Sequence, residues 1–355
     1  MNHQLYAAIL VALIGCTSPD DMSNITRVDE LMADYTGGVP GASALVVRQG
    51  RIVLMKAYGL ADVERGTPTS TATNYRLASV TKQFTATAVM MLIEDGHFTY
   101  DTRLTDIFED FPPYGSQVTV EHLLTHTSGL LAYEDFVPDT ATVQVKDADV
   151  LEIMRKQTET YFEPGTDYRY SNSAYALLAL TVEKYAGMPF ADFLRHNIFG
   201  TLEMNGTVAF EDGRSTVESR AFGHVDSAGT FIRRDQSITS AVLGDGGVYS
   251  SVEDLYKWDQ ALYGDEVLPQ RVLENAWTPK PNTEHDDGEQ YGYGWYVDTY
   301  SGHKVIRHSG STMGFRNDFE RFPDLELTVY VLTNRNSPEV IELTRQIADV
   351  FLESR

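Results

Sequence analysis

Asn74-Tyr75-Arg76-Leu77-Ala78-Ser79-Val80-Thr81-Lys82-Gln83-Phe84 carries a polar loop into a helix and sets a serine and a lysine three residues apart at the junction. Residues 72–78 lack helical periodicity, whereas Val80, Phe84, Ala88, Met91 and Leu92 recur at the spacing of one buried helical face. Ser79 therefore belongs at or beside a helix start. There, free N–H groups and the positive end of the helix dipole favour negative charge, and residues at i and i+3 share a face, so Lys82 reaches Ser79. A nucleophile and a base in one turn are parts a hydrolase can use. On these four residues alone a helix cap followed by a solvated lysine is an equal reading. A second Ser-x-x-Lys, Ser301-Gly302-His303-Lys304, falls in a Ser-Gly turn between apparent strands at 293–297 and 304–308, where its side chains need not share a face.

Outward from this junction the periodicity changes twice. A helix at 27–35 precedes two strands, 42–47 and 52–58, joined at Gln49-Gly50. A long middle follows with helical signatures at 120–124, 147–157, 173–185, 190–199 and 252–262, broken by Gly165, Gly244-Asp245-Gly246-Gly247 and Gly264. Strands return at 294–298, 305–308, 315–322 and 325–332, and a last helix, 338–352, places Val340, Leu343, Ile347 and Val350 on one face. The fold class expected is α/β in the α+β sense. One mainly antiparallel sheet is built from both chain ends and flanked by terminal helices, a mainly helical lobe occupies roughly 79–290, and the site lies in the cleft between them.

The chain has 355 residues, 42% of them hydrophobic, enough for a sizeable core. Its formal net charge of −23 argues against nucleic acid and anionic lipid as partners, since both reward clustered Lys and Arg. Leu5 to Ile14 form an apolar stretch too short to span a bilayer, ending in Leu13-Ile14-Gly15-Cys16. Residues 1–15 are expected to be an export signal of lipoprotein type, with the catalytic domain over 26–355. Cys16 would carry a lipid that holds the protein to a membrane, and 16–25 would be a short polar tether. The n-region has no Lys or Arg, and a plain secretory signal or an apolar amino-terminal strand is the competing reading. Cys16 is the single cysteine, so no intramolecular disulfide can form.

A serine and a lysine need help to cleave an acyl bond, and two later segments supply candidates. Tyr168-Arg169-Tyr170-Ser171-Asn172 precedes a helix, so Tyr170 and Asn172 can project from its first turn. His308-Ser309-Gly310-Ser311 ends an apparent strand, with a glycine that permits close backbone approach. Taken alone, Tyr170 and Asn172 would more often be a packed tyrosine and a helix cap. Tyr-x-Asn and His-x-Gly each occur once in the chain.

Together with Ser79-Val80-Thr81-Lys82 these segments resemble, in order, the three motifs of the penicillin-recognising serine hydrolases. The branch is that of class C β-lactamases, D,D-carboxypeptidases, D-aminopeptidases and related esterases. Residues 123–130, Leu-Leu-Thr-His-Thr-Ser-Gly-Leu, and 246–251, Gly-Gly-Val-Tyr-Ser-Ser, add to the resemblance, which runs from about Arg27 to the C-terminus. It implies a β-lactamase/transpeptidase-like fold with Ser79 as nucleophile and Lys82 and Tyr170 exchanging its proton. Asn172 and His308 would orient substrate, and the N–H groups of Ser79 and Ser311 would form an oxyanion hole. The implied activity is hydrolysis of an ester or a D-amino-acid peptide or amide through a Ser79 acyl-enzyme, without cofactor or metal. The substrate is a small molecule or peptide, peptidoglycan among them. A weak class C-like β-lactamase, or a non-catalytic envelope lipoprotein binding peptidoglycan or a partner protein, are the alternatives.

One departure matters: His308 stands where the β-lactamases and penicillin-binding proteins carry lysine, so a fixed cation becomes a titratable one and strong β-lactamase activity is not expected. His126 is expected to be a structural hydrogen-bonding residue. His285-Asp286-Asp287, in a polar loop without metal-ligand spacing, reads as solvated, and Trp258, Trp277 and Trp295 as core or cleft lining.

Overall fold

The computed structural model describes residues 19–284 and 288–353. Cys16, the signal it would terminate and the 285–287 triplet lie outside the described residues. Helix α1, Pro19–Leu31, starts earlier than the expected 27, so the stretch read as a tether is helical from Pro19 onward. The reason is local: proline suits the first helical position.

Strands β1, Ala42–Arg48, and β2, Arg51–Tyr58, form a hairpin whose turn residues Gln49 and Gly50 take φ of 51° and 71°. The helices that shape the site are α2, Lys82–Glu94, α3, Asp147–Met154, α4, Asn172–Ala186, and α5, Val252–Ala261. Strands β3, Gln290–Tyr291, β4, Tyr296–Tyr300, β5, His303–Thr312, β6, Phe315–Phe322, and β7, Leu327–Thr333, then complete the sheet, and helix α6, Ile341–Leu352, closes the described chain. The order is β3-β4-β5-β6-β7-β1-β2, antiparallel throughout, so both chain ends share one sheet.

Alternation along the strands buries both faces. Ala44 and Val46 of β1 and Val329 and Val331 of β7 pack under α1 and α6, while Leu45, Val47, Tyr330 and Leu332 point into the core shared with the helical middle. Helix α2 lies in that second core and is buried all round from Lys82 to Met90, wider than the single stripe its sequence suggests. Sheet and helices are also tied by a buried pair: Arg321 Nε of β6 donates to Asp259 Oδ1 of α5 at 3.1 Å, and Thr328 Oγ1 of β7 donates to the same oxygen at 2.8 Å.

Ser301 takes φ of 49° in the turn between β4 and β5, as a turn residue should. Strand β5 continues past His308 to Thr312, because Ser309 to Thr312 find partners from Asp318 back to Phe315 on β6. The His308-Ser309-Gly310 motif therefore lies within a strand rather than at its end. Trp258, Trp277 and Trp295 are all buried core residues.

Candidate active site

Ala78–Thr81 form a single tight helical turn that leads into α2. Ala78, just before Ser79, holds φ of 51°, a left-handed conformation that costs a non-glycine residue about 1–2 kcal/mol. The turn is pinned on both sides: Leu77 N–H donates to the Val248 carbonyl at 2.8 Å, and Val248 N–H donates to Thr81 Oγ1 at 3.2 Å. Strand β5 passes so close that a Cβ on Gly310 would stand 2.0 Å from the Leu77 carbonyl oxygen. Only a residue without a side chain fits there, and its absence brings Ser311 to the cavity that Ser79 lines.

Lys82 is fully buried. Its Nζ lies 3.2 Å from Ser79 Oγ, 2.9 Å from Asn172 Oδ1 and 2.8 Å from the Asp245 carbonyl oxygen, and 4.8 Å from the centre of the Tyr170 ring. Burial disfavours the ammonium and lowers its pKa to about 8, against the opposing pull of Asp245 and Glu134. The Tyr170 hydroxyl is buried, and burial raises its pKa well above the usual phenol value, with nearby Ser79 easing the shift. Asn172 opens α4 and bridges two sides of the site, accepting from Lys82 and donating from Nδ2 to Glu134 Oε1 at 2.8 Å. Its neighbour Ser171 caps α4 by accepting the Ala174 N–H at 3.1 Å, so capping and site geometry are set by the same turn.

His308 is buried and neutral. Burial, then the Lys82 charge, lower its pKa to about 3. Its Nδ1 contacts the Ser309 carbonyl oxygen at 2.7 Å, an acceptor only, so the proton sits on Nδ1; Nε2 then accepts from the Tyr291 hydroxyl at 2.9 Å. His126, also buried, accepts the Ser171 N–H on Nδ1 at 3.0 Å and packs 4.2 Å from the Tyr170 ring centre, the structural role expected of it.

Ser79, Asn172 and Ser311 open onto one cavity of about 170 Å³, shared with Arg76, Tyr133, Glu134 and Asp245. Those last four were not picked out from the sequence. Asp245 carried the one visible signal, an acid set among Gly244, Gly246 and Gly247; Glu134 and Arg76 carried none. Burial raises the Asp245 pKa to about 6, with Lys82 opposing. Among the described residues no His, Cys, Asp or Glu cluster is arranged to hold a metal ion.

A sheet and a helical lobe with a buried lysine, first residue of the central helix, on a serine in the turn that leads into it define a serine hydrolase of the β-lactamase/transpeptidase fold. The family model described as Beta-lactamase matches residues 25–351, and the chain belongs to that family. Penicillin-binding protein 4* of Bacillus subtilis (strain 168) is 31% identical over 310 residues, 82% of this chain and 68% of that protein. A D-aminopeptidase of Cereibacter sphaeroides (strain KD131 / KCTC 12085) is 28% identical over 323 residues, 89% of this chain but 61% of its own length. Among solved structures, the octameric penicillin-binding protein homologue from Pyrococcus abyssi superposes with a TM-score of 0.82 at 27% identity, covering 94% of this chain and 77% of that one. D-amino acid amidase from Ochrobactrum anthropi SV3, complexed with L-phenylalanine amide, shares the fold at a TM-score of 0.78 and 24% identity, covering 95% of this chain and 99% of that one.

Proposed function

We propose that this chain cleaves amides or esters of D-amino acids through an acyl-enzyme on Ser79, with a D-aminopeptidase type of specificity. The observation that carries the reading is the buried Lys82 Nζ, 3.2 Å from Ser79 Oγ with its pKa lowered to about 8. Near neutral pH such an amine can give up its proton at little cost and take one from Ser79. Ser79 Oγ then bonds to the acyl carbon, and the bond to the leaving amine or alcohol breaks as Lys82 and Tyr170 pass the proton to the departing atom. Water hydrolyses the ester by the reverse relay. The N–H groups of Ser79 and Ser311 hold the oxyanion, each such donor being worth about 3 kcal/mol.

Charge favours an amine-bearing substrate. A neutral His308 offers no cation for a substrate carboxylate, while Glu134 and Asp245 bring two acids to the cavity against the one guanidinium of Arg76, which donates to Gln236 Oε1 and to the Ser240 carbonyl. A free ammonium next to the scissile carbonyl complements those acids; a β-lactam or peptide carboxylate does not. The apolar leader ending in Cys16 supports a place at the cell envelope, the protein exported and held by lipid on that cysteine, where peptidoglycan peptides are within reach.

A fluorescent phosphonate should label the wild type and not Ser79→Ala, and D-alanine p-nitroanilide should be turned over in preference to its N-acetyl derivative. An unlabelled wild type with no Ser79-dependent turnover sinks the hydrolase reading. Preference for the acetylated substrate, or for a chromogenic cephalosporin, sinks the specificity.

A further inference from the structure

One of the three acceptors around Lys82 belongs to the turn Leu243–Gly246, and that turn is held from outside the cavity. Asp147, first residue of α3, spends both carboxylate oxygens on it: Oδ2 accepts the Leu243 N–H at 2.8 Å and Oδ1 the Gly244 N–H at 3.0 Å. Thr85 Oγ1, from α2, donates to the Gly244 carbonyl at 2.7 Å. Gly244 packs so tightly on α4 that a Cβ would stand 2.2 Å from the Tyr175 carbonyl oxygen. On the far side, a Cβ on Gly246 would lie 3.5 Å from Ala78, the residue before the serine. Between these contacts the Asp245 carbonyl meets Lys82 Nζ at 2.8 Å.

A four-residue turn cannot satisfy its own leading N–H groups, and in a dry interior each needs an acceptor. A carboxylate that takes two N–H donors on two oxygens fixes direction as well as position. We infer that Asp147 is a positioning residue for the reaction: through the Leu243–Gly246 turn it sets the Asp245 carbonyl, and thereby the place of Lys82 Nζ against Ser79. This rests on the Ser79 reading above. Thr85 is the second clamp on the same turn.

The test measures acylation by D-alanine p-nitroanilide in Asp147→Asn, Thr85→Val and Thr181→Val, with active sites titrated by the phosphonate. Asparagine offers one acceptor and turns its NH2 toward the other N–H, so one of the paired bonds is lost. In Asp147→Asn, kcat per titrated site should fall roughly ten- to hundredfold while KM stays within about twofold, as expected when a catalytic group is displaced by a fraction of an ångström. Thr85→Val should lose kcat in the same way. Thr181→Val removes a buried hydroxyl of α4 that bonds the Leu177 carbonyl, loosening the same core without touching the turn, and should keep kcat.

Wild-type kcat per site in Asp147→Asn overturns the inference, as does an equal loss in Thr181→Val, which would make the effect one of general stability. Should Asp147→Asn fail to fold, Thr85→Val decides alone. A wild type that takes no label refutes the Ser79 reading; a labelled wild type with unimpaired clamp variants refutes only the role of Asp147.

Discussion

At the scale of the residue, the site is governed by what burial does to two basic groups. Lys82, an ordinary amine in water, has its pKa lowered to about 8, whereas His308 falls to about 3. The signs fix a pH profile. Lys82 becomes a base only as it loses its proton, so the rate of Ser79 labelling by the phosphonate, a reagent without a titrating amine, should rise with pH through a midpoint near 8. His308, already neutral throughout the working range, should add no step near its ordinary value. A rate flat through the lysine midpoint would contradict the assignment of Lys82, and a limb near pH 6.5 that disappears in His308→Gln would contradict that of His308; a limb near 6 that survives the substitution belongs to Asp245, whose pKa burial raises to about 6. The same sign applies to stability: a depressed folded-state pKa means that Lys82 costs the fold progressively more as pH falls from 10.5 through 8, in exchange for a usable base.

At the scale of the element, three pieces of backbone meet at Ser79: the turn Ala78–Thr81, strand β5 and the Leu243–Gly246 turn. Each approaches through a glycine or a strained residue, which is why the meeting is close. Gly310→Ala puts a methyl 2.0 Å from the Leu77 carbonyl oxygen, and the obstacle is backbone on both sides, so neither can swing away cheaply. The variant should lose about 1–3 kcal/mol of stability, the usual range for overpacking, and acylation should fall with it because Leu77 leads directly into the nucleophile's turn. Urea unfolding and phosphonate labelling check both arms; unchanged labelling would mean that β5 is freer to move than its contacts indicate. The extension of β5 to Thr312 was hidden from its own sequence, since Ser309-Gly310-Ser311 has poor strand propensity and is kept extended by pairing with β6.

At the scale of the whole molecule, the sequence alone carries the prediction about place in the cell. If Cys16 bears a lipid, Cys16→Ser should move the protein from the membrane fraction to the soluble one; unchanged fractionation would remove lipidation from the account. The sequence by itself also determined the order of strands and helices, through periods of two and 3.6, and the three motifs, whose residue types are demanded by chemistry rather than by neighbours. It misplaced the start of α1, where the proline signal at 19 was outweighed by the polar composition around it. It showed α2 as striped because period reports one face, whereas a helix enclosed between sheet and lobe is buried on all of them. Glu134, Tyr291 and Asp147 were legible only in three dimensions, and of Asp245 the sequence showed no more than an acid among glycines. Each acts on a group far away along the chain, Glu134 on Asn172, Asp245 on Lys82, Tyr291 on His308, and Asp147 on the turn at Leu243. The tertiary structure alone decided the charge state of the site, because a pKa depends on how much water and which charges surround a group, and no local pattern records either.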